Sequence, residues 1–424
     1  MRRVKVVPIL LAAAVLAGTI GISACGDDGG GPGEKTLDLT IGDIVPLTGA
    51  LADFGPPGRK AANLAGDEIQ KAIQAAGVNH TVKIQHEDEQ TEPQAAVSAA
   101  RKLADAGASC IAGAWASADT IPVARSVTIR EKILQLSPAS TAASIGDLSD
   151  DGFLGRTAPP DTLQAKALAD HMDTELKGAQ GKAINIGARN DFYGTGLADA
   201  LAKEWQARGG TVGQKVIYDP EQPSYNSEAQ KITSGNVDAY AIVDFPETFG
   251  KVGPALVRTG NWDADKTFIT DGLASSELPK DVGSEATEGM RGTSVGTFDT
   301  APAKAFDKLY TSAPGADRQT FDAQNFDAVM LCYLAAVAAG STDGEDLKNE
   351  IVDLSGPPGK KYTWEQLPEA IKALQDGDDI DYEGAIGPID LDDQGDPSRW
   401  IYNIIQFENG KLETLRKVTP SAGN

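Results

Sequence analysis

Leu37, Leu39 and Ile41 alternate with Asp38 and Thr40 before Ile44 and Val45 run together, the pattern of a strand entering a core. Pro56 and Pro57 then open a helical pattern with Ala61, Leu64, Ala65, Ile69, Ile73 and Ala76 on one face, stopped by Gly77. Thr81 to His86 alternates as a strand, Pro93 opens a helix through Val97, Ala100 and Leu103, and Gly107 ends it. Ser109 to Ala114 predicts a short apolar strand, Asp119 to Arg130 a helix, and Ile133 to Leu136 a further strand. After Arg156-Thr157 the alternation restarts with strands at 182–187, 212–217, 239–245 and 267–270, and helices at 194–207, 227–232 and 247–258. Strand and helix in strict alternation imply βαβ units, hence parallel sheets covered by helices on both faces. Two such runs predict two lobes of ordinary domain size. Helices follow at 301–311, 321–339, 345–354 and 364–375, and strands at 400–407 and 412–416 meet at Asn409-Gly410, a hairpin turn.

The first residues set the compartment. Arg2, Arg3 and Lys5 precede an apolar run from Val6 to Ala17, and small residues follow, the three parts of a secretory signal. A spanning helix needs roughly 18 apolar residues, and Gly18, Thr19, Gly21 and Ser23 interrupt this run. Ile22-Ser23-Ala24-Cys25 resembles the lipobox of bacterial lipoproteins, which implies that residues 1–24 are a leader and that Cys25 carries lipid. Residues 25–36 are polar and Gly-rich, a flexible tether. Cleavage removes three cations and takes the formal charge from −23 to −26. So acidic a body disfavours nucleic acid or an anionic lipid surface as a partner. The remaining chain is long for one core, since cores stop growing at about 250–300 residues. Of the other cysteines, Cys110 and Cys332 sit in apolar patterns that suit two buried thiols, and a single bridge in an oxidising compartment is the alternative.

The mature chain resembles the leucine/isoleucine/valine-binding proteins, a class of type I periplasmic binding proteins, from about Leu37 to Arg416. The markers are Pro46-Leu47-Thr48-Gly49, Gly113-Ala114-Trp115-Ala116-Ser117, Ser137-Pro138-Ala139-Ser140-Thr141, Arg156-Thr157, Asn190-Asp191-Phe192-Tyr193-Gly194 and Gly387-Pro388-Ile389, in that order. The resemblance implies an α/β fold of two Rossmann-like lobes with parallel central sheets joined by three crossovers, near Thr157, Thr293 to Thr297 and Gly387. The lobes would then be 37–157 with 298–387, and 158–297 with 388–418. The stretch from Ser355 to Glu383 departs from the family pattern and is expected on the surface of the first lobe, away from the site.

Ligands of open α/β sheets bind beyond the carboxyl ends of the strands. Ser117 stands there, at a helix start whose free amides favour an anion, although a serine in that position is most often only a cap. The resemblance places Ser117 and Thr141 at a ligand carboxylate, with Ser140 beside them, and the backbone carbonyl of Ala139 at a ligand ammonium. It places Tyr193 over the ligand, Phe54 on the first lobe's side of the pocket, and Phe245 where the family often has an aromatic. Asp271 falls where the amino-acid binders carry a glutamate that pairs with the ammonium; a bare carboxylate in a closing cleft is costly, and the bland alternative is a turn cap before Gly272. Trp115 lines the same cleft.

No HExxH, CxxC, P-loop or Gly-x-Ser-x-Gly motif occurs, and Gly194-Thr195-Gly196 suits a helix start. His80, His86 and His171 scatter to a loop, a strand end and a helix surface. Asp390-x-Asp392-x-Gln394-Gly395 resembles a calcium loop, but Ile401 stands where the loop needs Glu, leaving a turn. Asn79-His80-Thr81 is a glycosylation triplet without meaning in a bacterial lipoprotein. The expectation is a monomeric, membrane-anchored solute-binding lipoprotein of an ABC importer, neither an enzyme nor in need of a cofactor or metal. It would capture an amino acid or a similar small polar solute and pass it to permease subunits. A sensory receptor, or a binder of an amide, urea or an aromatic acid, is the alternative.

Overall fold

The computed structural model describes residues 36–419. The leader at 1–24, Cys25 and the tether up to residue 35 lie outside the described residues.

Two sheets organise the chain. The first holds β1 (Leu37–Val45), β2 (His80–Asp88), β3 (Ala108–Ala112), β4 (Leu134–Ser137) and β5 (Leu154–Arg156), in the order β2-β1-β3-β4-β5 with every pair parallel. The second holds β6 (Ala183–Arg189), β7 (Thr211–Tyr218), β8 (Ala239–Val243), β9 (Thr267–Ile269) and β10 (Arg291–Val295). It gains the closing strands β13 (Tyr402–Glu408) and β14 (Lys411–Val418), giving the order β14-β13-β10-β9-β8-β6-β7. β13 runs antiparallel to both β10 and β14. The hairpin turns on Asn409 and Gly410, both at positive φ, as an Asn-Gly turn between strands requires.

The helix Asp322–Ala339 is buried almost throughout, from Asp322 to Val337. It packs under the helix Gly55–Ala76 and against the first sheet, which explains why its apolar residues go all round instead of keeping to one face. Cys110 on β3 and Cys332 on this helix are joined by a disulfide, so the bridge, and not the pair of thiols, is the state found.

Residues 355–383 are more than a surface addition. β11 (Lys360–Thr363) and β12 (Ile380–Glu383) pair in parallel, and the helix Leu367–Gln375 lies against Gly55–Ala76. Trp364, Leu367, Ile371 and Tyr382 enter the first core, and Trp364 Nε1 donates to the carbonyl of Pro302 at 3.0 Å. The expectation of a peripheral insertion is corrected to that extent, because four large side chains here find burial. Several elements escape the sequence pattern, among them β10, β11 and β12. The helix Asp161–Glu175 has apolar positions on most faces, and β5 is only three residues long. His171, expected on a helix surface, is buried in that helix, and His80 is the buried first residue of β2 instead of a loop residue. The calcium-like segment is indeed a turn. Its Asp396 holds Arg156 through Nε and Nη2 at 2.5 and 2.8 Å, while Arg156 Nη1 donates to the carbonyl of Ala142 at 2.9 Å.

Candidate functional site

The carboxyl ends of β3 and β4 face those of β6, β8 and β9 across one pocket. Its walls are Leu51, Phe54, Trp115, Ala116, Ser117, Ala139, Tyr193, Phe245, Asp271, Gly272 and Phe321, and its empty volume, mouth included, is about 330 Å³. Seven of the residues singled out from the sequence therefore meet: Phe54, Trp115, Ser117, Ala139, Tyr193, Phe245 and Asp271.

Ser140 is not among the walls. Its hydroxyl lies 2.7 Å from Thr120 Oγ1 and donates to the carbonyl of Trp115 at 2.9 Å, so it ties two loops of the first sheet together. Thr141 stands behind the wall, where its carbonyl accepts from the amide of Asp161 at 2.7 Å. Ser117 is the first residue of its helix instead of its cap, and its hydroxyl accepts from the amide of Ala142 at 3.1 Å. The amides of Asp119 and Thr120 donate to the Ala116 carbonyl at 2.9 Å, which leaves those of Ser117 and Ala118 without a partner in the helix.

The wall from Gly113 to Ser117 is held from below. The buried Glu89 carboxylate accepts from the amides of Trp115 and Ala116 at 2.8 and 3.2 Å. Burial pushes the Glu89 carboxyl up to about 8. The Trp115 ring lies so close to the helix Gly55–Ala76 that a Cβ at Gly58 would stand 2.2 Å from it, so only glycine fits there. Across the pocket, Tyr193 stacks on Phe245 with ring centroids 5.2 Å apart, and the Arg189 guanidinium caps the far face of Phe245 at 3.8 Å. Asp191 caps the helix Phe192–Ala207 by accepting from the amide of Gly194 at 2.7 Å, which sets the position of Tyr193.

Asp271 is buried and accepts from the Tyr193 hydroxyl at 2.7 Å. Burial pushes its carboxyl up to about 6 despite that bond. A second buried carboxylate, Asp161, begins the helix Asp161–Glu175 just after the first crossover. Burial, then repulsion from Asp271, holds Asp161 well above the usual carboxylate range. Neither oxygen of Asp161 has a hydrogen-bond partner of good geometry, and the same is true of Thr141 Oγ1, Gln164 Oε1 and the Tyr402 hydroxyl. Buried polar atoms are normally paired. Thr141 and Tyr402 carry hydroxyl donors of their own, and Thr141 lowers the Asp161 carboxyl and Gln164 that of Asp271, but burial outweighs both and the two carboxyls still repel each other. Asp161 was not anticipated, since the sequence pattern predicts no element between Thr157 and Lys182. Gln164, Phe321 and Tyr402 were hidden in apolar or helical patterns.

Among the described residues no group of His, Cys, Asp and Glu is placed to hold a metal ion. None of their helices is long and apolar enough to cross a membrane.

A ligand pocket at the sheet ends of two α/β lobes defines a two-lobed solute-binding protein of the type I periplasmic class. The family model described as periplasmic binding protein matches residues 38–400, and the chain belongs to that family, whose members are extracytoplasmic solute binders and not enzymes. It is 27% identical over 378 residues to the Leu/Ile/Val-binding protein BraC3 of Rhizobium johnstonii, covering 88% of this chain and 93% of that one. It is 26% identical over 384 residues to the chemotactic signal transduction system substrate-binding protein BasB of Halobacterium salinarum, covering 89% and 88%. The leucine binding protein LivK of Thermotoga maritima has the same fold, with a TM-score of 0.73 at 22% identity over 90% of this chain and 99% of that one.

Proposed function

We propose that the protein captures one small zwitterion, an α-amino acid with an apolar side chain, and presents it to the permease of an ABC importer. The observation that carries this reading is the pair of buried, mutually repelling carboxyls of Asp161 and Asp271, whose charges a cationic donor would offset. An α-ammonium supplies three N–H donors and a positive charge. The amides at the start of the Ser117 helix, with the Ser117 hydroxyl, offer donors for a carboxylate, and Ala139 stands at the same wall. The side chain would lie among Leu51, Phe54, Trp115, Phe245 and Phe321. The name of BraC3 points the same way.

The two binding walls belong to lobes taken here as 37–157 with 298–387 and 158–297 with 388–418. Both contact one small ligand only when the cleft is shut, so ligand would favour the closed state. Lipid on Cys25 would keep a monomer at the outer face of the membrane, and Cys25→Ser should release it or leave it uncleaved.

A thermal-shift panel of L-leucine, L-isoleucine, L-valine, L-phenylalanine, benzoate and urea tests the ligand class. A ligand at one hundred times its Kd adds about 2.7 kcal/mol of stability. Stabilisation by benzoate or urea alone would refute the zwitterion. The name of BasB favours one second reading, sensing in place of import. A kinase or receptor gene beside this one would support sensing, and permease and ATPase genes would support import.

A further inference from the structure

Phe321 lines both the ligand pocket and a second, larger space. That space has an empty volume of about 810 Å³ and opens to solvent between Ser294–Thr297, the turn at 318–320 and the hairpin of β13 and β14. Its walls are largely polar, including Arg318, Gln319, Gln324, Ser294 and Asn403. Asn403 Oδ1 and Asp322 Oδ1 are buried there without a hydrogen-bond partner.

The backbone of Phe321 is left-handed, at φ 74° and ψ −4°. A bulky residue seldom adopts that conformation, and it persists only where its surroundings enforce it. Here they do. The Asp322 carboxylate accepts from Arg318 Nε at 2.8 Å and from the Gln319 amide at 3.0 Å. Gln319 is bound in turn to Ser276, donating to its hydroxyl at 2.7 Å and accepting from its amide at 3.2 Å. The turn is thus fixed from within and from the side that carries Asp271. It presents the ring inward, buried and edge-on to Trp115 with centroids 6.3 Å apart.

We propose that Phe321 is the partition that sets ligand length, closing the end of the pocket so that its removal joins the pocket to the polar space behind. The joined space takes amino acids with longer side chains that end in N–H donors, which meet the free oxygens of Asn403 and Asp322. The choice of probes rests on the zwitterion reading above; the geometry of the partition does not.

The test compares Phe321→Gly, which accepts the left-handed backbone freely, with Phe321→Leu, which keeps bulk. Both are titrated calorimetrically with L-leucine and L-arginine. The expected result is that the preference for leucine over arginine falls at least tenfold in Phe321→Gly and less than threefold in Phe321→Leu. An unchanged preference in a folded Phe321→Gly overturns the partition. If the parent binds neither amino acid, the zwitterion reading fails by itself, and a crystal structure of Phe321→Gly decides the partition. One continuous void supports it, and a turn that collapses to reseal the wall overturns it.

Discussion

Replacing Asp271 by Asn should stabilise the empty protein and weaken the bound one. With the cleft shut around it, the Asp271 carboxyl is pushed from 3.8 to about 6 by burial. Each pKa unit corresponds to about 1.4 kcal/mol, so without a cationic partner the ionised group costs the shut form about 3 kcal/mol. The folded pKa lies above the unfolded one. The penalty is therefore absent below about pH 4, grows between about 4 and 6, and is complete above 6. Asn removes it and weakens the bond from Tyr193, worth about 1 kcal/mol. Without ligand the variant should then be more stable than the parent by up to about 1–2 kcal/mol at pH 7.5, the full gain belonging to the shut form, and no more stable at pH 4. With ligand the balance reverses. A charge-assisted bond to an ammonium is worth about 1.5–3 kcal/mol, so L-leucine should bind roughly ten- to a hundredfold more weakly. Thermal unfolding at the two pH values and calorimetry with L-leucine measure both sides. Unchanged leucine affinity in the variant would refute the role of Asp271. Weaker binding with lower stability at pH 7.5 would make Asp271 a structural residue.

Thr141→Ala should cost less than Asp271→Asn, about threefold in leucine affinity, because it removes a neutral hydroxyl; a loss by calorimetry as large as that of Asp271→Asn would contradict this ranking. Leucine affinity should fall as pH drops through about 6, by up to tenfold per unit, because protonating Asp271 removes its charge; titrations at pH 5, 6 and 7.5 that show a rise instead contradict this. Glu89→Ala leaves the amides of Trp115 and Ala116 buried without an acceptor, which should weaken binding about tenfold, whereas Glu89→Gln, whose one oxygen still accepts from one of them, should lose less; unchanged leucine affinity by calorimetry in Glu89→Ala would show that this support does not shape the site. Replacing Cys110 and Cys332 by Ala frees a loop with a sequence separation of 222 residues, and chain entropy puts the loss at up to about 5 kcal/mol, read as a lower denaturant midpoint with leucine affinity unchanged.

Most strands of the two sheets announced themselves because a buried parallel strand is a short apolar run bounded by turn residues, as at Ser109 to Ala114 and Ala239 to Phe245, whereas β5 and β10 did not. The helix Asp161–Glu175 did not, since its Ala165, Ala167, Leu168 and Ala169 are packed on several sides and leave no single stripe. The pocket walls were legible where a residue follows a strand end, as Ser117, Ala139 and Asp271 do. Asp161 and Tyr402 lie behind the pocket wall, and only tertiary folding brings them near Asp271. Ser140 shows the opposite limit, since a hydroxyl after a strand can equally bind a ligand or brace a loop, and here it braces.

The most direct test pairs L-leucine with 4-methylpentanoate, the same molecule without its amino group, in calorimetric titrations of the protein at pH 7.5. If an ammonium is held between Asp161 and Asp271, leucine binds and its deaminated analogue binds at least tenfold more weakly. Equal or tighter binding of 4-methylpentanoate would contradict a zwitterion site and make the ligand a carboxylic acid.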